Sequence, residues 1–480
     1  MKRRNKSIKT VMMVIALFIV FSIAAGIFMA VTNTSADADS SSDSGQNINT
    51  EQNIQPENSA HQNSTESDIS SEAETEPTAE PVTEPTAQPS AEPTLQPTGE
   101  STPQPEQAPQ IVPPATVSTD MYSAMWISYL EFQSVNFSSK NSFVADMETI
   151  FGNCSDMGIE TVIVQVRPFG DALYDSDIFP TSHLITGTQG DTLSYDPLSE
   201  MVKIAHNKGL RIEAWINPYR VRLHGKLPDN ISADNPANNT DLVFNAEGGV
   251  YYNPALTEVQ DMVVSGIEEI VRNYDVDGIH LDDYFYPSTD MELDAADYKA
   301  SGSSLSQDDW RRENVNTLVK KIYKKIKSID SSVTFGISPQ GNNDNNYLVQ
   351  YSDVCLWLRE AGYVDYIMPQ LYWGFGYLTS SGSDAYQFIN LSEQWAAYPR
   401  HSSVKLYIGM GAYRIGAGDG GANDQSEWSC GNNLMKMVNA ISANGDISGF
   451  GLYRYDNLFR NSEYASLAQS EAEHISEILK

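Results

Sequence analysis

From Met121 to the end of the chain, short apolar runs alternate with longer amphipathic stretches. Apolar runs of about four to eight residues between turn residues are typical of buried strands, and apolar positions three and four apart are typical of helices. The predicted strands are Ala124–Tyr129, Thr161–Arg167, Arg211–Asn217, Gly278–Asp283, Thr334–Pro339, Tyr366–Tyr372, Lys405–Gly411 and Gly449–Tyr453. The predicted helices are Phe143–Gly152, Pro197–Gly209, Pro254–Tyr274, Asp308–Ile329, Ser352–Ala361, Ala385–Tyr398, Gln425–Asn444 and Glu463–Leu479.

The strict alternation of eight strands with eight helices predicts an α/β fold, a closed (β/α)8 TIM barrel. A doubly wound open sheet is the structural alternative. It is disfavoured because no strand is followed by the Gly-rich turn with which that fold binds phosphate. In a TIM barrel the functional site lies at the carboxyl ends of the strands, so those ends are where chemistry is expected.

Two predicted helices share a start signal, an Asx residue followed by proline. Asp196 precedes Pro197, and Asn253 precedes Pro254. An Asx side chain accepts from the first free N–H groups of a helix, and proline fits the first helical position because no hydrogen bond is required there. Both steps are therefore predicted to cap and open a helix.

The first 118 residues differ in composition from the rest of the chain. A basic stretch precedes the apolar run Val11–Val31, which is long enough to span a bilayer, so residues 1–31 are predicted to be a signal anchor. Residues 32–118 are rich in Ser, Thr, Glu and Pro and are predicted to be a disordered spacer. Residues 119–480 form the barrel domain. This organisation predicts a single-pass membrane protein with its barrel outside the cell, or a secreted form if the signal is cleaved.

The barrel region is strongly acidic. It holds 25 of the 30 Lys and Arg residues and 48 of the 63 Asp and Glu residues, a formal net charge of −23. Such a charge argues against nucleic acid as a partner, because the phosphate backbone would be repelled. The three cysteines, Cys154, Cys355 and Cys430, are too few for a disulfide framework. They are interpreted as buried small side chains, although a bridge between two of them stays open.

Polar and aromatic residues collect at the carboxyl ends of the predicted strands. Aromatic faces such as those of Trp126 and Tyr286 suit the apolar faces of sugars, and amide and guanidinium groups suit their hydroxyl and acetamido groups. The predicted substrate-binding residues are Arg167, Asn217, Tyr219, Arg220, His280, Tyr284, Gln340, Gln370, Tyr372, Trp373 and Arg414. The pattern predicts a carbohydrate partner.

Several long motifs occur in order along the barrel region. They are Gln-Val-Arg-Pro at 165–168 with Gly-Asp-Ala at 170–172, Trp-Ile-Asn-Pro-Tyr-Arg at 215–220, Asp-Gly-Ile-His-Leu-Asp-Asp-Tyr-Phe-Tyr-Pro at 277–287, Ser-Pro at 338–339 and Met-Pro-Gln-Leu-Tyr-Trp at 368–373. Over residues 119–460 the sequence resembles the bacterial glycosyl-hydrolase-like family 10 proteins. The resemblance implies a barrel at the cell envelope that cleaves peptidoglycan glycan strands stripped of their peptides.

Carboxylates at the strand ends are the candidate catalytic groups, because glycoside cleavage normally uses two carboxyl groups. Asp282 and Asp283 are adjacent after the fourth predicted strand. This segment also resembles family 18 chitinases, but Tyr284 stands where their acid Glu would be. The pair resembles the Asp-Asp of barrel enzymes that use the substrate's acetamido group as nucleophile. That resemblance implies that Asp282 orients the acetamido group and Asp283 protonates the leaving oxygen.

Other assignments stay open. Asp171 is a third catalytic candidate, which either completes a two-carboxylate mechanism with Asp282 or holds Arg220 or Arg414 in place. His280 is expected to point in the same direction as Asp282, since strand side chains alternate. Capping a helix or binding an arginine would be a structural role for the pair. No cofactor or metal is predicted, because no regular calcium-ligand loop is visible.

Two further function classes fit the same sequence. A non-catalytic glycan-binding barrel of the cell surface would keep the aromatic residues without needing a poised acid. A structural envelope protein would not need Arg167, Asn217 and Asp282 at one mouth of the barrel. Release of soluble fragments from purified wall glycan distinguishes hydrolysis from binding.

Overall fold

The computed structural model describes residues 121–223, 228, 230–421 and 426–480. The predicted signal anchor and spacer lie outside these residues. Among the described residues, no helix is long and apolar enough to cross a membrane. The described part contains the predicted barrel together with a small antiparallel sheet.

Strands and helices alternate along most of the described chain. The strands are β1 (Tyr122–Ile127), β2 (Thr161–Arg167), β3 (Arg211–Ile216), β4 (Arg220–Arg222), β5 (Val243–Ala246), β6 (Gly249–Tyr252), β7 (Gly278–Leu281), β8 (Thr334–Ile337), β9 (Tyr366–Ile367), β10 (Lys405–Gly411) and β11 (Gly449–Tyr453). The α-helices are α1 (Lys140–Met157), α2 (His183–Thr186), α3 (Pro197–Asn207), α4 (Thr257–Asn273), α5 (Ala295–Ser301), α6 (Gln307–Ile329), α7 (Asn343–Leu348), α8 (Val354–Arg359), α9 (Phe388–Ala397), α10 (Asn433–Ser442), α11 (Tyr455–Phe459) and α12 (Ala465–Leu479).

Eight strands close into a parallel barrel in the order β1-β2-β3-β7-β8-β9-β10-β11. Closure is made where β1 pairs with β11 in parallel register, with Tyr122 opposite Gly449. The predicted (β/α)8 barrel is therefore confirmed, and the open sheet is excluded. Several strands are shorter than predicted. β7 ends at Leu281, so Asp282 and Asp283 lie just beyond the strand, and β9 contains only Tyr366 and Ile367.

The sequence patterns did not predict the sheet of β4, β5 and β6, which is inserted between β3 and α4. β6 pairs antiparallel with both neighbours, and Arg220 of β4 lies opposite Tyr251. These strands are only three or four residues long, too short to show a clear alternation. The insertion matters because β4 carries Arg220, one of the predicted binding residues.

Two apolar layers hold the barrel together. Side chains that point outward from the strands pack against the helices in one large core, in which Val162, Val164 and Ile279 are fully buried. A second cluster fills the barrel interior. Its buried members are Tyr122, Ala124, Trp126, Ile163, Trp215, Tyr366 and Met368. The interior is thus closed by large rings below the mouth, as expected for a packed barrel rather than a pore.

Glycine makes room for these rings. A Cβ atom added at Gly336 of β8 would lie 1.9 Å from the ring of Tyr366, far inside van der Waals contact. The position therefore needs glycine so that the tyrosine can cross the barrel. This places the Tyr366 hydroxyl beside Glu213 on β3, with an Oη–Oε2 distance of 2.6 Å.

The two Asx-Pro steps have different outcomes. Asp196 is the N-cap of α3 and its side chain accepts from the N–H of Ser199, with Pro197 in the first turn, so this cap is confirmed. The prediction for Asn253 is wrong, because α4 begins at Thr257 and its N-cap, Leu256, makes no side-chain bond. The Asn253 side chain instead accepts from the N–H of Ala255 in a turn and donates to Asp297.

The cysteines are only partly as expected. All three are free thiols, so no bridge joins any two of them. Cys154 is buried on α1, where burial raises the pKa of its thiol above the usual range. The expectation of burial is wrong for the other two, because Cys355 is half-buried and Cys430 is exposed.

Candidate active site

The centre of the barrel mouth is formed by the adjacent carboxylates that follow β7. Asp282 and Asp283 are 3% and 8% exposed, so both are largely removed from water. Because β7 lies between β3 and β8 in the barrel, its carboxyl end lies beside the ends of both neighbours. Side chains from the β3 end and from the loops after β8 and β9 accordingly reach the pair.

Asp282 is held by three hydrogen-bond donors. Its oxygens accept from the indole Nε1 of Trp215 at 3.1 Å, from the amide Nδ2 of Asn217 at 3.2 Å and from the backbone N–H of Tyr284 at 3.3 Å. An indole and a backbone amide can only donate. Those two partners therefore require Asp282 to be an acceptor.

The orientation of the Asn217 amide is also fixed. Its Oδ1 accepts from the backbone N–H of Tyr219 at 3.3 Å and of Arg220 at 2.9 Å. Since these backbone groups need the oxygen, the Nδ2 end must face Asp282. All three partners of Asp282 are thus donors that cannot be reversed.

Among the hydrogen-bond partners of Asp283, the Gln370 amide has a fixed orientation and the Gln350 amide can turn. The Gln370 Nε2 donates to Asp283 Oδ1 and also to the Ser338 carbonyl, both at 2.9 Å, so its orientation is set by that carbonyl. The Gln350 Nε2 lies 3.4 Å from Asp283 Oδ2. The Oε1 of Gln350 is buried without a hydrogen-bond partner among the described residues. Turning this amide would present an acceptor to Asp283 without breaking another bond.

Burial raises the pKa of both carboxyl groups. The pKa of Asp282 rises to about 7, because desolvation outweighs the nearby Arg220 charge and the negative charge of Asp283 adds to the rise. Desolvation also raises the pKa of Asp283, opposed by its bonds to Gln370 and Gln350. Two neighbouring carboxylates repel each other, so the pair is suited to holding one proton near neutral pH.

One wall of the mouth combines a cation with aromatic rings. The Arg220 guanidinium lies 5.2 Å from the ring centre of Tyr284 and 5.0 Å from that of Phe169. Its Nε donates to the Pro168 carbonyl at 2.9 Å. Tyr284 is 41% exposed, so its ring is open to a ligand beside Asp283. Arg220 and Tyr284, which are both predicted binding residues, therefore lie together at the site.

The opposite wall is a group of rings from the last three strands of the barrel. Tyr372 stacks on Tyr453 with ring centres 5.7 Å apart, and Tyr413 meets Tyr372 edge to face at 5.5 Å. Trp373 follows Tyr372 and packs on Tyr386 at 5.3 Å. Tyr413 and Tyr453 are not among the predicted binding residues, because a single aromatic residue at a strand end is ambiguous between packing and binding.

Gln340 and Arg414 support loops around the mouth. The Gln340 Oε1 accepts from Asn345 at 3.2 Å, which ties the loop after β8 to α7. The Arg414 Nε donates to the carbonyl of Tyr372 at 3.1 Å. Both residues therefore position loops near the predicted site, and the Gln340 side chain also forms a hydrogen bond with Asp283 that lowers the pKa of that carboxyl group.

His280 points into the barrel, as alternation predicts, but it lies below the mouth and is fully buried. The Trp126 indole, also inside the barrel, donates to its Nε2 at 3.3 Å. The Nδ1 must then carry the proton and donates to the Tyr366 hydroxyl at 2.7 Å. That hydroxyl in turn donates to Glu213. Burial lowers the pKa of His280 to about 3, so the ring is neutral and is placed to support the barrel floor.

Three other predicted residues lie away from the open mouth. Arg167 is 1% exposed, with its guanidinium stacked 4.4 Å from the ring centre of Phe179. Asp171 is fully buried, and its Oδ2 is 2.8 Å from His183 Nδ1 and 2.9 Å from Gln189 Nε2. Tyr219 is also fully buried, and Tyr286 is almost fully buried. The structure therefore separates Asp171 from Arg220 and Arg414, the arginines that it would hold in one of its two predicted roles.

Gln350 and Trp215 are the site residues that sequence reasoning missed. Gln350 follows the short helix α7 rather than a strand, so the strand-end rule did not reach it. Trp215 lies one residue before the end of β3 and was treated as part of a motif. For metals, no group of three or more His, Cys, Asp or Glu side chains converges within the described ranges.

Comparison with known proteins found a matching family model and several similar sequences. The family model described as Glycosyl hydrolase-like 10 matches residues 123–430. Glycosyl hydrolase DigH of Escherichia coli K12 is 32% identical over 388 residues, covering 72% of this chain and 86% of DigH. Glycosyl hydrolase YngK of Bacillus subtilis is 39% identical over 280 residues, and the match spans about half of each protein, 54% of both.

Among solved structures, the catalytic domain of a β-amylase from Paenibacillus polymyxa has a TM-score of 0.49 at 12% identity, covering 76% of this chain and 100% of that domain. The sequence matches identify the family. The family model spans more than half of the chain, and it includes Asp282, Asp283 and the residues that hold them. The chain therefore belongs to the glycosyl hydrolase-like 10 family.

Proposed function

We propose that this protein is a glycoside hydrolase that cleaves a cell-envelope glycan at the Asp282–Asp283 pair. The observation that carries the proposal is the pair itself, two buried adjacent carboxylates with raised pKa values at the carboxyl end of β7. Glycoside cleavage needs one carboxyl group that is protonated and one that is charged in the same site. The exposed ring of Tyr284 and the partly exposed ring of Trp373 offer surfaces on which a sugar can stack.

The hydrogen-bond donors support a division of roles between the two carboxyl groups. Asp282 accepts hydrogen bonds from three donors that cannot be reversed. These bonds stabilise its carboxylate form and oppose the rise in pKa that burial causes. Asp283 can keep a proton on Oδ2, because the Gln350 amide can turn to accept it. Asp283 is also the more exposed of the two. We therefore assign Asp283 as the general acid and Asp282 as the charged partner.

An N-acetylhexosamine polymer suits this division of roles, and peptide-stripped peptidoglycan is the proposed substrate. The Asp282 carboxylate accepts the acetamido N–H, and the acetamido oxygen attacks the anomeric carbon. Asp283 gives its proton to the leaving glycosidic oxygen as the bond to that oxygen breaks. Water then attacks the anomeric carbon, the bond between that carbon and the acetamido oxygen breaks, and the attacking water gives a proton to Asp283. The names of the two relatives, both glycosyl hydrolases, support the reaction class.

The test is mass spectrometry of the soluble products from amidase-treated peptidoglycan. Wild-type protein is expected to release fragments with free reducing ends, and a variant carrying both Asp282→Asn and Asp283→Asn is expected to release none. Anhydro products would replace hydrolysis by a lytic reaction. Binding to the glycan without release would identify a glycan-binding barrel instead.

We also propose that the barrel is held outside the cell by Val11–Val31, with residues 32–118 as the spacer. The support is the length and apolar character of that run and its basic flank. Intact-mass analysis of the protein from native membranes tests the proposal. A mass that includes residue 1 or 2 is expected, whereas a chain that starts near residue 37 would mean a cleaved signal and a secreted protein.

A further inference from the structure

An exposed apolar patch lies beside the candidate active site. It consists of three consecutive residues, Tyr347, Leu348 and Val349, which are 39%, 61% and 43% exposed. We call these three residues the rim patch. Three consecutive exposed apolar side chains are unfavourable on a soluble surface unless they have a binding role. Resting on the function proposed above, we propose that the rim patch is an additional subsite that binds the glycan polymer next to the cleavage site.

The ring of Tyr347 is held in place although it faces solvent. The Arg312 guanidinium of α6 lies 4.1 Å from its ring centre, and Arg312 Nη1 donates to the Tyr347 carbonyl at 3.0 Å. Arg312 is itself fixed by an ion pair with Asp309 at 2.7 Å. The cation packs against the ring and leaves other ring surface exposed. A ring fixed before binding loses little entropy when a ligand stacks on it.

The rim patch is adjacent in sequence to a residue that contacts the catalytic pair. Gln350 follows Val349 directly and is buried, with its Nε2 3.4 Å from Asp283 Oδ2. Tyr347 precedes Gln350 by three residues, so their Cα atoms are at most about 11 Å apart. The loop after β8, which Gln340 ties to α7, brings this segment to the carboxyl end of the barrel. A polymer that occupies the mouth therefore passes close to the patch.

The size and chemistry of the patch favour a sugar strand as the occupant. A stable protein interface needs about 800 Å² from each partner, whereas even an aromatic side chain buries only about 150–250 Å². Three partly exposed side chains cannot provide that area. Tyrosine offers a flat apolar face with a polar edge, which matches a sugar ring. A polymer already bound in the cleft gains this second contact at high effective concentration.

The experiment compares a polymer with a short substrate. Denuded peptidoglycan and an aryl glycoside of one N-acetylhexosamine are hydrolysed by wild type, Tyr347→Ala and the double variant Tyr347→Ala/Leu348→Ser. The subsite predicts that KM on the polymer rises about three- to tenfold with kcat unchanged, because binding common to the ground and transition states is lost. Kinetics on the aryl glycoside should stay at wild-type values.

Two controls make the result specific. Tyr347→Trp keeps an aromatic face and should retain the wild-type KM on the polymer. Tyr363→Ala removes another tyrosine that lies under a cation, Lys320 at 5.4 Å, but Tyr363 precedes β9 at the opposite end of the barrel. It should leave both substrates unaffected. Melting temperatures establish that every variant is folded.

The outcomes separate the subsite from the proposed function. If the polymer is cleaved with equal KM by wild type and both rim-patch variants, the subsite is wrong and the hydrolase proposal stands. If wild type cleaves neither substrate, the hydrolase proposal fails. Co-sedimentation with denuded peptidoglycan, which needs no catalysis, then tests the patch directly. Weaker binding by Tyr347→Ala than by Tyr363→Ala supports the subsite, and equal binding overturns it.

Discussion

Gln350 and Gln370 contact the same carboxylate, but they are expected to affect it in opposite ways. In the structure the Gln350 Nε2 donates to Asp283, but in our assignment this amide turns and accepts the proton of Asp283. Gln370 can only donate to Asp283, because the Ser338 carbonyl fixes its amide. An acceptor stabilises the protonated acid and raises its pKa, and a donor stabilises the carboxylate and lowers its pKa. The general acid is active only when protonated, so activity falls as the pH rises through this pKa.

Gln350→Ala should therefore move the high-pH limb of the kcat/KM profile to lower pH, and Gln370→Ala should move it to higher pH. The measurement is the pH–rate profile on an aryl glycoside with a poor leaving group, where proton donation limits the rate. Shifts in the same direction for both variants would mean that Gln350 is a donor and that the proton is not held on Asp283 Oδ2.

The surroundings of single side chains could not be predicted from the sequence. Alternation along β7 correctly predicted the direction of His280, but it could not show that Trp126 and Tyr366 enclose the ring and keep it neutral. Asp171 follows β2 at a strand end, yet its chain turns so that the carboxylate meets His183 and Gln189. Strand-end position indicates a region of the barrel, and the fold of the following loop decides which side chains face the mouth.

At the level of elements, the two Asx-Pro steps predict different sensitivities. Asp196→Ala removes the α3 cap to Ser199 and the acceptor for the hydroxyl of Tyr274. Loss of an N-cap alone costs about 0.5–2 kcal/mol, so the free energy of unfolding should fall by about 1–2 kcal/mol in denaturant titrations. Asp196→Asn keeps the cap oxygen and is the matched control. If the alanine and asparagine variants unfold alike, the cap does not contribute to stability.

The same two steps explain the limit of local signals. Both sequences read as helix starts, but Asn253 forms a turn with Ala255 and donates to Asp297, and α4 begins four residues later at Thr257. The local sequence could not show that the Asn253 side chain forms this turn instead of capping the helix, because its other partner, Asp297, is distant in the sequence. Long runs such as β2 and α6 were placed within one residue of their observed bounds, since many positions contribute to their periodicity.

For the whole molecule, the break in composition near Met121 predicts a separable barrel. Limited proteolysis should trim the chain to a resistant core that begins near this residue, because Pro- and Ser-rich segments bury little apolar surface. N-terminal sequencing and the mass of the core measure the boundary. A resistant fragment that retains residues 76–118 would contradict the predicted division between spacer and barrel.

The closed barrel was predictable from the whole chain because its strands and helices repeat. The site required distant parts of the sequence to meet, since Trp215, Gln350 and Gln370 come from three different loops or strand ends around Asp282 and Asp283. The family motifs include Trp215 and Gln370, but a sequence motif does not show which side chains are in contact. The resemblance already implied roles for the two carboxylates, and the structure adds which of their neighbours can donate and which can be reversed.

The most direct test of the account is the activity of Asp283→Asn and Asp282→Asn on two substrates. Loss of general acid catalysis typically costs about 10²–10⁴ in rate, so both variants should lose that much on denuded peptidoglycan. An aryl glycoside with a good leaving group needs little protonation. Asp283→Asn should therefore recover much of its activity on this substrate, and Asp282→Asn should not. Near-normal activity of both variants on denuded peptidoglycan would contradict a catalytic role for the pair, and rescue of Asp282→Asn alone would reverse the two assignments.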